Sequence, residues 1–292
     1  FNLLMGQGSE TGAALVEHPN VAGVSFTGSS VVGRKIGASV FARGGKMQLE
    51  MGGKNPLIVL DDADLEKAVE FAINGAFFSA GQRCTASSRL IVTENIHDSF
   101  IGAMSKRMEL LRIGDARNPN TDIGPVVSEA QLKKNLEYLR IGVDDGAKHL
   151  MGGHQVEQKT PGWYLSPALF INAKSEMQIC REEIFGPIAA VISVSDYDEA
   201  LSVANDSEFG LSAGIVSSDR RIIDHFIDNI QSGMVQINLP TAGMDFHAPI
   251  TGRKNSSFGP PEKSSYCREF FTNTKVIHAN YGKRLNSKRE GS

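Results

Sequence analysis

The feature that most constrains this chain is a change of hydrophobic period that recurs along its length. Strand-sized apolar runs alternate with stretches whose apolar residues fall at helical spacing. Strands are predicted at VAGVSF (21–26), KMQLEM (46–51), NPLIVL (55–60), SRLIVT (88–93) and AKHLMG (147–152). Further strands are predicted at WYLSPALF (163–170), IAAVISV (188–194), LSAGIVSS (211–218) and GMVQIN (233–238). Between them lie helical patterns from about Val31, over 64–80 with Asp64 as N-cap, and over 97–111. Others cover 129–145, the stretch opened by Asp196, and 220–231. Helices of this length between strands imply parallel βαβ units, with functional residues in the loops at strand ends. The fold class predicted is α/β, built on a parallel sheet.

Composition narrows the partners. A net charge of -3 over 292 residues offers no basic field for nucleic acid. The longest apolar stretches are strand-sized, against the roughly 20 residues a membrane helix needs. Three widely spaced cysteines, Cys84, Cys180 and Cys267, suit neither a disulfide framework nor a zinc site. They point instead to a reducing compartment, and the expected location is the cytoplasm.

Three stretches carry candidate chemistry. In FTGSSVVG (26–33), Gly28, Ser29 and Gly33 sit between a strand and a helix start, where backbone N–H groups can seat a phosphate. Ordinary helix capping explains the same residues. In QLEMGGKNP (48–56), Glu50 ends a predicted strand, and partial burial there would raise its pKa toward that of a general base. Pairing with Lys54 is the alternative. In FFSAGQRCTASS (77–88), Cys84 follows Arg83, whose charge and nearby backbone donors could favour a thiolate. A lone cysteine serves equally well as a small buried hydrophobe.

LEMGGKNP and, 34 residues after Glu50, FFSAGQRC resemble the glutamate and cysteine motifs of the aldehyde dehydrogenase superfamily. FTGSSVVG, EEIFGP (182–187), SGMVQIN (232–238) and a strand expected at FFTNTKVI (270–277) extend the resemblance over nearly the whole chain. The resemblance implies NAD(P)-dependent oxidation of an aldehyde. Cys84 would attack the carbonyl, the thiohemiacetal would lose hydride to NAD or NADP, and Glu50 would activate water against the thioester. The Cys84 backbone N–H would help hold the oxyanion. Glu183 and Phe185 match residues at the nicotinamide ribose, and Gly28, Ser29 and Gly33 match the pyrophosphate loop. Glu262, in GPPEKSSY, matches a proton-relay glutamate, although its neighbours are atypical.

GQRCTASSR and QINLPTAGMDFHAP look most like members acting on semialdehydes of oxo-acids, such as α-ketoglutarate semialdehyde. PITGRK (249–254) departs from the common Pro-Phe-Gly-Gly-x-Lys. His247 and Arg253 are read as surface or subunit contacts rather than carboxylate ligands. The implied domains are 1–52 as the C-terminal half of a truncated Rossmann-like cofactor domain, 53–256 as the catalytic domain, and 257–292 as an oligomerisation segment and tail. A homodimer or homotetramer is expected of the full-length protein, while this chain alone is expected to be inactive or nearly so. A thiol hydrolase or esterase using Cys84, and a non-catalytic structural fragment, are the competing readings.

Overall fold

The parallel βαβ pattern read from the sequence governs the architecture of the computed structural model, which describes residues 1–243 and 245–282. The N-terminal part holds a short helix α1 (Ala13–Glu17), entered through a π-helical turn at Gly8–Gly12 and absent from the predicted elements. Strand β1 (Gly23–Thr27) then leads into helix α2 (Ser30–Ala42), and β2 (Lys46–Glu50) pairs in parallel with β1. Thr27 lies opposite Glu50 in this register, so both strands deliver their last residues to one edge.

The larger body begins with β3 (Asn55–Val59), α3 (Leu65–Phe77), β4 (Ser87–Thr93), α4 (Glu94–Glu109) and α5 (Glu129–Asp144). It continues with β5 (Lys148–Met151), β6 (Ala168–Ile171), α6 (Gln178–Arg181), β7 (Ile188–Val194) and α7 (Tyr197–Asn205). After β8 (Phe209–Gly210) come β9 (Ser212–Val216), α8 (Arg220–Asn229) and β10 (Met234–Ile237). Seven strands form one sheet in the order β10-β9-β3-β4-β7-β6-β5, parallel throughout except for β5.

Alternation along the central strands explains the layering. Leu57, Val59, Leu90 and Val92 face one core with α3 and α4. Ile58, Leu60 and Ile91 face the other, with Tyr138, Ala200 and Phe226 from α5, α7 and α8. A strand buried on both faces reads as a continuous apolar run, as NPLIVL does. Asp64 caps α3 as expected, accepting from the Lys67 N–H at 3.2 Å.

Two predicted strands differ. Of WYLSPALF only the last three residues join the sheet, as the start of Ala168–Ile171, while Trp163 and Leu165 make isolated bridges to Val126 and Gln155. Pro167 lacks the N–H that would carry the ladder through. FFTNTKVI begins as the end of helix α9 (Arg268–Phe271) and continues without regular structure. Among the described residues no strand pairs with it, and an extended segment becomes a strand only against an available edge. Between β10 and α9 lie β11 (Arg253–Lys254), antiparallel to β8, and β12 (Ser257–Phe258), antiparallel to β2. The tail expected over the last ten residues falls outside the described residues. No helix among the described residues is long and apolar enough to cross a membrane.

Candidate active site

The three-stranded and seven-stranded sheets meet at opposite ends. The C-terminal ends of β1 and β2 face the turns that feed the N-terminal ends of β3, β4 and β7. Between them lies a cleft of about 610 Å³ lined by Thr27, Gly28 and Ser29 on one side and by Cys84, Glu183 and Phe185 on the other. Four of the five expected cofactor residues thus share one cavity with the expected nucleophile. Gly33 does not: it is buried in the first turn of α2 against Met51, with its N–H held by the Ser29 carbonyl at 2.9 Å. Its role here is close helix-to-strand packing, since a Cβ would collide with the Met51 thioether. Ser29 caps α2, its Oγ accepting from the Val32 N–H at 3.4 Å.

Glu50 is buried, at 5 % exposure, and the Ser257 hydroxyl donates to its Oε2 at 2.5 Å. Burial pushes its pKa up to about 7; the Ser257 hydrogen bond opposes the rise and the Glu262 carboxylate adds to it. That value suits a base that must lose and regain a proton near neutrality. Lys54 is not its partner. The Lys54 ammonium is fully buried and its Nζ lacks a hydrogen-bond partner, and burial pulls its pKa down to about 8. Glu262 is held by a two-way backbone bridge to Ile250, and its Oε1 accepts from Ser25 and Thr27, each at 3.3 Å. Glu262 therefore stands within electrostatic reach of Glu50 without touching it.

Cys84 is the exposed cysteine; Cys180 is buried and Cys267 intermediate. Burial of the thiol's surroundings pushes its pKa up, and the Glu183 carboxylate pushes the same way. Its own N–H and that of Thr85 favour the thiolate. Arg83 does not, contrary to expectation. Its guanidinium turns toward α3, donating to the carbonyls of Asn74 and Gly75, and so anchors the loop. In EEIFGP the two acids separate: Tyr138 and Gln178 donate to Glu182, whereas Glu183 faces the cleft and accepts from the Gly53 N–H at 3.2 Å. Phe185 follows with a left-handed backbone, at φ 60°.

Several residues have roles that the sequence reading missed. Gln131 and Lys134 of α5 line the cleft and donate to the carbonyls of Ile184 and Glu183, each at 3.0 Å. Asn55, a polar residue in an apolar run, was the one legible signal. Ser257, in the two-residue strand β12, and Thr241, in a loop, gave none, because segments that short carry no period. His247 bonds Asp245, Arg253 donates to the Ile230 carbonyl at 3.3 Å, and neither lines the cleft. Among the described residues no cluster of His, Cys, Asp and Glu could hold a metal ion.

Residues 1–277 match the family model described as "Aldehyde dehydrogenase family". An alpha-ketoglutaric semialdehyde dehydrogenase of Bacillus subtilis is 46 % identical over 279 residues, covering 95 % of this chain and 57 % of that protein. A 2,5-dioxopentanoate dehydrogenase of Saccharolobus solfataricus is 40 % identical over 280 residues, 95 % of this chain and 58 % of its own. The crystal structure of an NAD-dependent aldehyde dehydrogenase from Sinorhizobium meliloti superposes with a TM-score of 0.91 at 36 % identity, over 96 % of this chain and 55 % of that one. The chain therefore spans a little over half the length of the relatives it matches. With Cys84 of the cysteine motif and Met51 and Gly52 of the glutamate motif lining one cleft, and the family match running through residue 277, the chain belongs to the aldehyde dehydrogenase family.

Proposed function

We propose that this chain supplies the nucleophile, the general base and the nicotinamide-side wall of an enzyme that oxidises aldehydes to carboxylic acids with NAD or NADP. The observation that carries the reading is the exposure of Cys84 into a cleft shared with Gly28, Ser29, Glu183 and Phe185. Those residues fit the nicotinamide end of a dinucleotide. The Glu183 carboxylate can accept from ribose hydroxyls, and the small Gly28-Ser29 turn lets a phosphate approach the backbone at the entry to α2. The dinucleotide, when bound, supplies the hydride acceptor.

Cys84, protonated at rest, gives up its proton as its sulfur attacks the aldehyde carbon. Glu50, with a pKa of about 7, is the acceptor of matching strength. The N–H of Cys84 faces the forming oxyanion. Once the adduct is oxidised to the thioester, Glu50 passes the first proton on toward Glu262 and, ionised again, takes a proton from the attacking water and returns it to the Cys84 sulfur as the acid leaves. The Glu262 carboxylate keeps Glu50 basic by raising its pKa. The substrate proposed is the semialdehyde of an oxo-acid, in keeping with the names of the Bacillus subtilis and Saccharolobus solfataricus relatives. The full-length protein is proposed to be a cytoplasmic homo-oligomer. Residues 1–52 would belong to the cofactor-binding part and 53–256 to the catalytic part.

Incubation with p-nitrophenyl acetate separates the roles of the two residues without a cofactor. Mass spectrometry should find acetyl on Cys84 alone, and Glu50→Gln should accumulate the acylated chain because its hydrolysis stalls. Acetylation spread over Cys180 and Cys267, or equal turnover in Glu50→Gln, would refute the assignment. Reduction of NAD or NADP with a semialdehyde then distinguishes a dehydrogenase from a thiol hydrolase.

A further inference from the structure

We propose that Asn55 is a positioning residue for the nucleophile: its side-chain amide fixes the Cys84–Thr85 peptide so that the Thr85 N–H faces the Cys84 sulfur. Asn55 opens β3 and is buried, at 2 % exposure. Its Nδ2 donates to the Cys84 carbonyl at 2.8 Å and to the Ala86 carbonyl at 2.9 Å. Its Oδ1 accepts from the Ser212 N–H of β9 at 3.0 Å. Both amide hydrogens are thus spent on the cysteine loop, while the oxygen is fastened to the central sheet.

A trans peptide is planar, with its C=O and N–H pointing in opposite directions. No cis peptide occurs among the described residues. Capturing the Cys84 carbonyl from the sheet side therefore aims the Thr85 N–H the opposite way, and that N–H is among the groups that favour the Cys84 thiolate. The next peptide is held as well: the Thr241 hydroxyl, fully buried, donates to the Thr85 carbonyl at 2.7 Å and exchanges a 2.6 Å bond with Ser87 Oγ. A donor on the charged form of an acid favours that form, so a peptide held in this orientation favours the thiolate. With Arg83 turned away, the backbone is the source of that help. The inference rests on the reading of Cys84 as the nucleophile.

The test is the pH dependence of Cys84 alkylation by iodoacetamide, followed residue by residue with mass spectrometry, in the wild-type chain, Asn55→Ala, Asn55→Ser and Val191→Ala. Val191→Ala truncates the core in β7, away from the loop, and controls for lost stability. In Asn55→Ala the midpoint should rise by about 0.5–1 pH unit, as expected for loosening one hydrogen bond to a charged group. Asn55→Ser, which keeps a short donor, should recover part of the shift, and Val191→Ala should show none. An unmoved midpoint in Asn55→Ala, or an equal shift in Val191→Ala, overturns the proposal. Should Asn55→Ala fail to fold, the midpoint of Asn55→Ser against wild type decides it: raised supports, unmoved overturns. If wild-type Cys84 reacts no faster than Cys180 and Cys267, the nucleophile reading itself falls. Fast wild-type labelling with an unmoved midpoint removes only the role of Asn55.

Discussion

Replacing Glu50 by Gln should stabilise the fold, and should do so much more in mild alkali than in mild acid. In the folded chain the Glu50 pKa lies at about 7, raised from 4.5 chiefly by burial. Between those values the folded state keeps a proton that the unfolded chain has released. Stability therefore falls as pH rises through that window, and the loss is complete above the folded value. At one pKa unit per 1.36 kcal/mol, the cost is about 1 kcal/mol near pH 5 and about 3 kcal/mol near pH 8. Gln carries no charge at either pH and keeps an acceptor for the Ser257 hydroxyl, so the substitution removes the titration and little else. Urea unfolding of both chains at the two pH values measures it directly. The stability gain of Glu50→Gln should be about 2 kcal/mol larger near pH 8 than near pH 5, a difference of roughly 0.5–1 M in urea midpoint. A gap independent of pH would refute the reasoning, because Glu50 would then be ionising as it does in water.

Two further outcomes follow from packing. Arg89 is buried at 1 % exposure and donates to the carbonyls of Lys54, Val203 and Ala204, each at 2.9 Å. Arg89→Met should cost about 3–5 kcal/mol by stranding those acceptors; a urea midpoint within error of wild type would count against it. Gly81 has φ +65°, and a Cβ there would meet the Gly186 backbone. Gly81→Ala should therefore push the cysteine loop off the Phe185–Gly186 turn and change the rate of Cys84 alkylation, and a native rate would mean the contact is slack.

The sequence by itself determined the layered α/β plan, because a buried parallel strand must be apolar on both faces and NPLIVL and IAAVISV have no other use. It also singled out Cys84, Glu50, Gly28, Ser29, Glu183 and Phe185, largely through motifs whose spacing resembles a known family. Tertiary structure decided how those groups behave. Arg83 stands next to Cys84 in sequence, yet its guanidinium reaches the end of α3, so adjacency gave the wrong electrostatics. Gly33, five residues after Gly28 in the same motif, packs against Met51 instead of lining the cleft. Glu182 and Glu183 are neighbours with opposite fates, one bonded to Tyr138 and the other facing the cleft. The groups that tune the pair, Ser257 on Glu50 and Asn55 on the cysteine loop, arrive from 207 and 29 residues away. Local pattern can fix periodicity and burial, because both depend on near neighbours. A pKa or a peptide orientation depends on whatever the fold brings within about 3 Å, and chain distance carries no information about that.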